Sequence, residues 1–440
     1  MTIKLILKLK GGFNMSNNIN KKIEIDVNKA VKLLTKLVET PSIKDKKNDE
    51  IINLIEKELK NIGCLTQLYI ANSEDVADNP IFTPLPEGVE KKQKYITGTI
   101  KGSGGGKSIL LFSHVDTENV MDRNLWNTNP FKLVKKGDKL YGLGTNDAKS
   151  GVAACIMALK VIKEMGIKLR GDVVALAQNE KFGGATGPLP VFTKECKVDG
   201  ALYVHAPESA NGLGEIEVGT KGLLSFKITI FGEKPALREA GIPYSYISIK
   251  DGVNAIDKAI EIIDALKKYA KIRDQKFNRK MEKTTFNIGI IKGGEASAVV
   301  ADKCEIECSI VFSTKETIQS ITKEINNVIQ KTIKKDAFLK KCSPVFEIVD
   351  FRANPAYINL NDEILLKLKE CIKEAGNYNL VDFNQHIGSV IRYPIICAKI
   401  PAISFGPKAD NSYKPNEWVS EEQYIKSIEI LVRFIMKWCK

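Results

Sequence analysis

The sequence lacks an apolar run of about 20 residues, the length a membrane-crossing helix takes, so no membrane span is expected. Its nine cysteines include no Cys-x-x-Cys pair. Cys304 and Cys308 share one face of an expected strand, but that spacing is no zinc signature. Reduced, mostly buried thiols are therefore expected, which points to the cytoplasm. Aromatic residues are sparse, at 7%. The net charge of +13 comes from lysines spread along the whole chain. Without a basic, aromatic-rich patch the lysines read as a solvated surface, and nucleic acid is excluded as a partner. The glycines of 102–106 run into Lys107-Ser108, but the loop does not have the length of a phosphate loop and a strand candidate rather than a helix follows, so Lys107-Ser108 reads as surface.

What is present is ordinary globular composition with 43% hydrophobic residues over 440 positions, enough for two domains with their own cores. The chemistry concentrates between Ile109 and Gly187. Ile109-Leu110-Leu111-Phe112 is an apolar strand candidate that runs into Ser-His-Val-Asp-Thr at 113–117. Val173-Val174-Ala175-Leu176-Ala177 is another, leading to Asn-Glu-Lys-Phe-Gly-Gly at 179–184. Between them lies a glycine-flanked turn with Asp147, then helical spacing from Val152 to Ile167. Strand, loop, helix, strand is the order of a parallel α/β sheet, whose sites form beyond the carboxyl ends of strands. His114 at a strand end is a candidate metal ligand, with Asp116 orienting it from behind. Asp147 is placed to bridge cations, and Glu180 to act as general base toward a metal-bound water.

These motifs, with Trp126, Pro130-Phe131, Tyr141-Gly142 and Gly252-Val253-Asn254-Ala255-Ile256, resemble the M20 family of di-zinc aminoacylases, deacylases and carboxypeptidases. The resemblance runs from about Asp26 to the C-terminus. It implies an α/β fold: a mixed-sheet catalytic domain of the zinc-exopeptidase type, with an inserted α+β lid that often serves dimerisation. The expected boundaries are 15–219 and 341–440 for the catalytic domain and 220–340 for the lid. A homodimer through the lid is expected.

The resemblance also locates departures. His114, Asp147 and the catalytic Glu180 stand at their family positions, but a Glu ligand is replaced by Lys181. The carboxylate before a proline is replaced by Ala206, in Tyr203-Val204-His205-Ala206-Pro207. The late His is replaced by Tyr413, in Tyr413-Lys414-Pro415-Asn416-Glu417. The lid His becomes Leu237, and a substrate-contacting Asn becomes Ala298. Arg392 is left as a carboxylate anchor, and Asn254 is carried as a second substrate contact. Two divalent cations bring about +4, whereas Lys181 and Ala206 together shift the side-chain charge by about +3, so these substitutions are consistent with an emptied centre. His205 and Glu208 flank the Ala206 gap and are candidate substitute ligands. The expectation is no metal, or at most one zinc ion.

Plainer readings stand beside these. His114 reads equally as a buried, hydrogen-bonded histidine, His205 and His386 as structural, and Glu180 as a partner for Lys181. Arg392 has the reading of a solvated surface charge, and Lys149 that of a structural residue. Two functions follow: a divergent hydrolase, with Glu180, Asp116 and Lys181 as its catalytic set, acting on an amide of a small acyl-amino acid or peptide-like substrate; or a non-catalytic small-molecule-binding protein or partner subunit.

Along the rest of the chain, helices are expected over Val27–Val38, Lys47–Ile62, Val253–Tyr269, Ile318–Ile333 and Glu421–Trp438. Strands are expected over Gln67–Ile70, Tyr95–Ile100, Leu202–His205, Gly222–Phe231, Phe286–Ile291 and Cys304–Phe312, with a return to the first domain near Val345. Met1–Asn14 has lysines around Leu-Ile-Leu but neither the apolar core of about 7–15 residues nor the cleavage site of a signal peptide. Codons for Lys10-Gly11-Gly12 can spell a purine-rich ribosome-binding site before Met15. Met15 is therefore the expected start, with residues 1–14 disordered or absent from the native protein. Intact-mass measurement should give a chain beginning there; a native protein beginning at Met1 refutes it.

Overall fold

A strand that is apolar at every position is stable only when both faces are covered. In the computed structural model, Ile109–His114 forms such a strand, β3, buried throughout. Ile109 and Leu111 point into a large hydrophobic cluster, while Leu110 and Phe112 join Tyr95, Leu176, Tyr203 and Tyr393 in another. The structure describes residues 23–44, 48–72, 92–179, 197–207, 209, 211–234, 252–277, 283–297, 299–341, 343–383 and 386–440.

Among the described residues, β3 lies inside an eight-stranded sheet. The order is β1 (Leu65–Asn72), β2 (Lys92–Ile100), β6 (Val173–Gln178), β3, β7 (Ala201–Val204), β16 (Ala402–Phe405), β8 (Glu215–Glu217) and β14 (Val381–Phe383). β6, β3, β7 and β16 are parallel neighbours, whereas β1 and β2 run antiparallel at one edge. Helices α1 (Val27–Glu39), α2 (Asp49–Asn61), α3 (Ser150–Glu164), α6 (Glu363–Ala375) and α7 (Glu421–Trp438) bury their apolar residues in the large cluster. α1 begins where the Asp26 carboxylate accepts the Lys29 N–H, and its stripe of Ala30, Leu33, Leu34, Leu37 and Val38 faces inward. α3 is buried almost all round, the pattern of a helix enclosed by neighbours.

The second sheet is antiparallel, in the order β10 (Thr285–Gly293), β11 (Lys303–Phe312), β9 (Gly219–Phe231) and β12 (Val345–Ala353). Alternation turns Leu224, Phe226, Ile228 and Ile230 of β9 inward, together with Cys304, Ile306, Cys308 and Ile310 of β11. Helices α4 (Ala255–Lys276) and α5 (Ile318–Ile333) close over that face. The beginning of β9 also pairs with β13 (Ala356–Tyr357) and β15 (His386–Ile387). A third, small sheet joins β17 (Ala409–Asp410), β18 (Trp418–Ser420), β5 (Lys139–Tyr141) and β4 (Val134–Lys136).

The expected helices and strands are present, with shifted ends. α4 continues to Lys276, past the expected Tyr269, because polar helix formers carry it on and Arg273 is buried against Glu316 and Glu324. Val345–Ala353, where the sequence places the return to the first domain, instead pairs with β9 in the smaller sheet. The chain rejoins the large cluster at Ile358 and α6. No helix among the described residues is long and apolar enough to cross a membrane.

The start of α3 touches the end of β7 so closely that no side chain fits between them. A Cβ on Gly151 would lie 1.9 Å from the Val204 carbonyl oxygen and 2.5 Å from Ser113 Oγ. Both neighbours belong to strands and cannot yield. Gly151→Ala is expected to cost about 3 kcal/mol of stability, read from the urea-unfolding midpoint.

Candidate functional site

Parallel strands carry their following residues to one edge of a sheet. β3 ends at His114, β6 runs on to Asn179 and β7 to His205 at this edge. His114 is fully buried. Its Nδ1 lies 3.1 Å from the Asp116 carbonyl oxygen and 3.2 Å from Asp116 Oδ1, and its Nε2 lies 2.8 Å from Asp147 Oδ1. Asp116 thus stands behind the imidazole, on the side away from Asp147. Burial alone would push the His114 imidazole down, but the Asp116 and Asp147 carboxylates outweigh it and hold its pKa at about 9.

Asp147 is presented by the loop between Gly144 and α3. Gly144 takes a left-handed backbone (φ 84°), and a Cβ there would lie 2.7 Å from Thr117 Cγ2. The loop is held from the other end of the chain. The Glu417 carboxylate accepts the backbone N–H groups of Gly144 (2.8 Å), Asn146 (2.7 Å) and Asp147 (2.9 Å). Burial pushes the Glu417 carboxyl up to about 7 despite those three donors, and Asp147 adds to the rise. Lys149, next in the loop, is also buried; its Nζ donates to the carbonyls of Leu37 (2.8 Å) and Thr40 (2.9 Å) at the end of α1. Burial draws its pKa down to about 7, against the pull of Glu417 and Asp116. Lys149 is structural, as its plainer reading has it.

The third side chain on Asp147 is His205, whose Nε2 lies 2.9 Å from the same Oδ1. Its ring stacks on Tyr203 at 5.0 Å, and Tyr203 stacks on Phe112 at 5.0 Å, so an aromatic column fixes the imidazole. The ligand atoms of His114, Asp147 and His205 all lie within 4.8 Å of one another. Two imidazole nitrogens and a carboxylate oxygen are a donor set for one zinc or other first-row divalent ion. Among the described residues there is no second group of this kind. Asp147 and His205 line a cleft of about 260 Å³ together with Asn146, His386, Ser389 and Tyr413.

The remaining expected site residues fall as follows. Ala206 is buried beside the cleft and Tyr413 lines it with a left-handed backbone (φ 60°). Glu180, Lys181, Glu208, Leu237 and Ala298 lie outside the described residues. Two expectations are corrected. Arg392 is fully buried rather than a surface charge; it donates to the Tyr393 hydroxyl (2.7 Å) and does not line the cleft. Asn254 caps α4, its Oδ1 accepting the Ile256 N–H (2.8 Å), so its side chain is engaged by the helix. Two residues were given no site role from sequence: Glu417, although it closes the Tyr413–Glu417 motif, and His386, which is one of only three histidines in the chain.

The sequence model described as Peptidase family M20/M25/M40 matches residues 110–437. An N-formyl-4-amino-5-aminomethyl-2-methylpyrimidine deformylase from Bacillus subtilis is 26% identical over 364 residues, covering 78% of this chain and 83% of the relative. The crystal structure of an aminopeptidase PepT from Bacillus cereus superposes with a TM-score of 0.71 at 19% identity, covering 94% of this chain and 100% of that one. A Bacillus subtilis protein described as a dinuclear metal-binding peptidase of family M20 gives a TM-score of 0.65 at 16% identity, covering 94% of this chain and 98% of that one.

Glu417→Ala leaves three buried N–H groups of the Asp147 loop without their acceptor. A loss of about 2–4 kcal/mol is expected in denaturant unfolding. Glu417→Gln, which keeps one oxygen acceptor, should lose clearly less.

Proposed function

The chain belongs to peptidase family M20/M25/M40, and on that footing we propose that it hydrolyses an amide bond of a small acyl-amino acid or peptide-like substrate, using one divalent metal ion held by His114, Asp147 and His205. The observation that carries this reading is the convergence of those three ligand atoms beside a cleft. The named relatives support the reaction class: one is a deformylase and one a dinuclear metal-binding peptidase. A volume of about 260 Å³ favours a substrate of amino-acid size.

A divalent ion at these donors supplies Lewis-acid polarisation of the amide carbonyl and lowers the pKa of a water. The protein's own part is positioning and proton handling. Asp116 fixes the His114 ring, and the Phe112–Tyr203 column fixes that of His205. Glu417 fixes the backbone that presents Asp147. Glu180, by its place in the motif, is the base that takes the proton of the attacking water. His205 stands in for the carboxylate replaced by Ala206, and Tyr413 and Lys181 leave a second ion without its own ligands. Pairing of two copies would use β10, an end strand of the smaller sheet among the described residues, where Ile290 and Ile291 are exposed.

The same replacements favour a second reading, a metal-free protein that binds a small molecule without turnover. The test is metal analysis of protein loaded with zinc or iron(II), joined to hydrolysis of N-formyl and N-acetyl amino acids and of dipeptides. One ion per chain, turnover, and an at least tenfold loss of metal affinity in His205→Ala are expected. Two ions per chain that His205→Ala leaves in place would overturn the one-metal site. Protein that takes up no ion and shows no turnover would favour the binding protein.

A further inference from the structure

The sequence holds only three histidines, and the fold brings all three to one place. His114 and His205 meet Asp147. His386 lines the same cleft but is not within their 4.8 Å group. It is therefore an imidazole beside the proposed metal donors and separate from them.

Its backbone is pinned on both sides. β14 pairs with β8 just before it, Phe383 opposite Glu217, and β15 pairs with the start of β9, His386 opposite Thr220. Thr220 Oγ1 donates to the His386 carbonyl (3.1 Å) and accepts the Ser389 N–H (3.0 Å). Gly388, with φ 74°, turns the chain between them. His386 also lines a recess of about 10 Å³, shared with Glu215, Glu217 and His205. Room for about one water is all such a volume gives. A ligand therefore reaches His386 from the cleft. Glu215 and Glu217, which share that recess, are both more than nine-tenths buried. An imidazole carries at least one ring N–H, and such a donor lining a cleft beside a candidate Lewis-acid site has the placement of an oxyanion stabiliser.

We infer that His386 is a further catalytic residue, which donates a hydrogen bond to the carbonyl oxygen of the scissile amide as that oxygen gains negative charge. This rests on the amide-hydrolase reading above. In the reaction the water oxygen bonds to the carbonyl carbon, the C–N bond breaks, and the proton taken from water ends on the leaving nitrogen. His386 gives and takes no net proton; its bond strengthens as the tetrahedral state forms, and so it acts on kcat.

The test uses metal-loaded full-length protein and the variants His386→Ala and His386→Gln. With the N-acyl amino acid turned over best by the wild type, His386→Ala is expected to lose about 10²–10³-fold in kcat, with KM within about threefold. Metal stoichiometry should stay at the wild-type value. His386→Gln, which keeps an N–H donor, should recover at least about tenfold of that loss, which a purely structural role would not predict. A second readout needs no turnover: methylphosphonate, a tetrahedral oxyanion mimic, should bind His386→Ala at least about tenfold more weakly by calorimetry. Wild-type kcat in His386→Ala, or loss of its metal, overturns the inference; so does unchanged methylphosphonate affinity. If the wild type hydrolyses no amide yet methylphosphonate binding depends on His386, the amide reading fails while the oxyanion contact stands.

Discussion

A single carboxylate ties two distant stretches of the chain together at the Asp147 loop. Glu417 gathers the N–H groups of Gly144, Asn146 and Asp147 in the loop that presents Asp147, across 270 residues of sequence. Without that acceptor the loop would expose buried donors, and the direction of Asp147 would be free to drift. The small sheet that pairs β18 with β5 brings Glu417 to the loop, and the left-handed turn at Gly144 shapes the loop to meet it. The positions of His114 and His205 relative to one another matter only because the carboxylate between them is fixed.

The neighbourhood of this carboxylate concentrates buried charge. An imidazole held high, an ammonium held low and a carboxyl held high all occur within a few residues of the Asp147 loop. Buried ionisable groups are costly unless each finds a partner, and their clustering in one place is a common mark of a functional centre. Here the partners divide into two kinds. Lys149 and Glu417 spend their hydrogen bonds on backbone, as scaffold. His114 and His205 turn theirs to the one Asp147 oxygen that stands beside the cleft.

The sheet and its long helices were legible because their signals are local. The all-apolar run of β3, the alternation in β9 and the helical stripe of α1 each state their burial within a few residues. The two- to four-residue strands from β13 to β18 carry no such period; partners far along the chain decide them. The same distinction runs through the site. His114 and Asp147 sit at a strand end and in a glycine turn, features visible in the sequence. The direction of His205 depends on where β7 stops and on the ring beneath it, so sequence could name it only as a substitute beside Ala206. Glu417 closes the Tyr413–Glu417 motif, and nothing local in the sequence shows the distant loop that it holds. Arg392 deceived in the opposite sense: a guanidinium with the reading of a solvated surface charge is fully buried, donating to the Tyr393 hydroxyl and lying over that ring.

β9 belongs to two structures at once. Most of its length is an inner strand of the smaller sheet, while its first residues hold the segment carrying His386 through Thr220. The other two histidines hang from β3 and β7 of the larger sheet. A tilt of the smaller sheet would therefore act as a lever on one imidazole and leave the remaining pair at rest, so that the proposed oxyanion contact and the proposed metal donors would answer to different parts of the molecule.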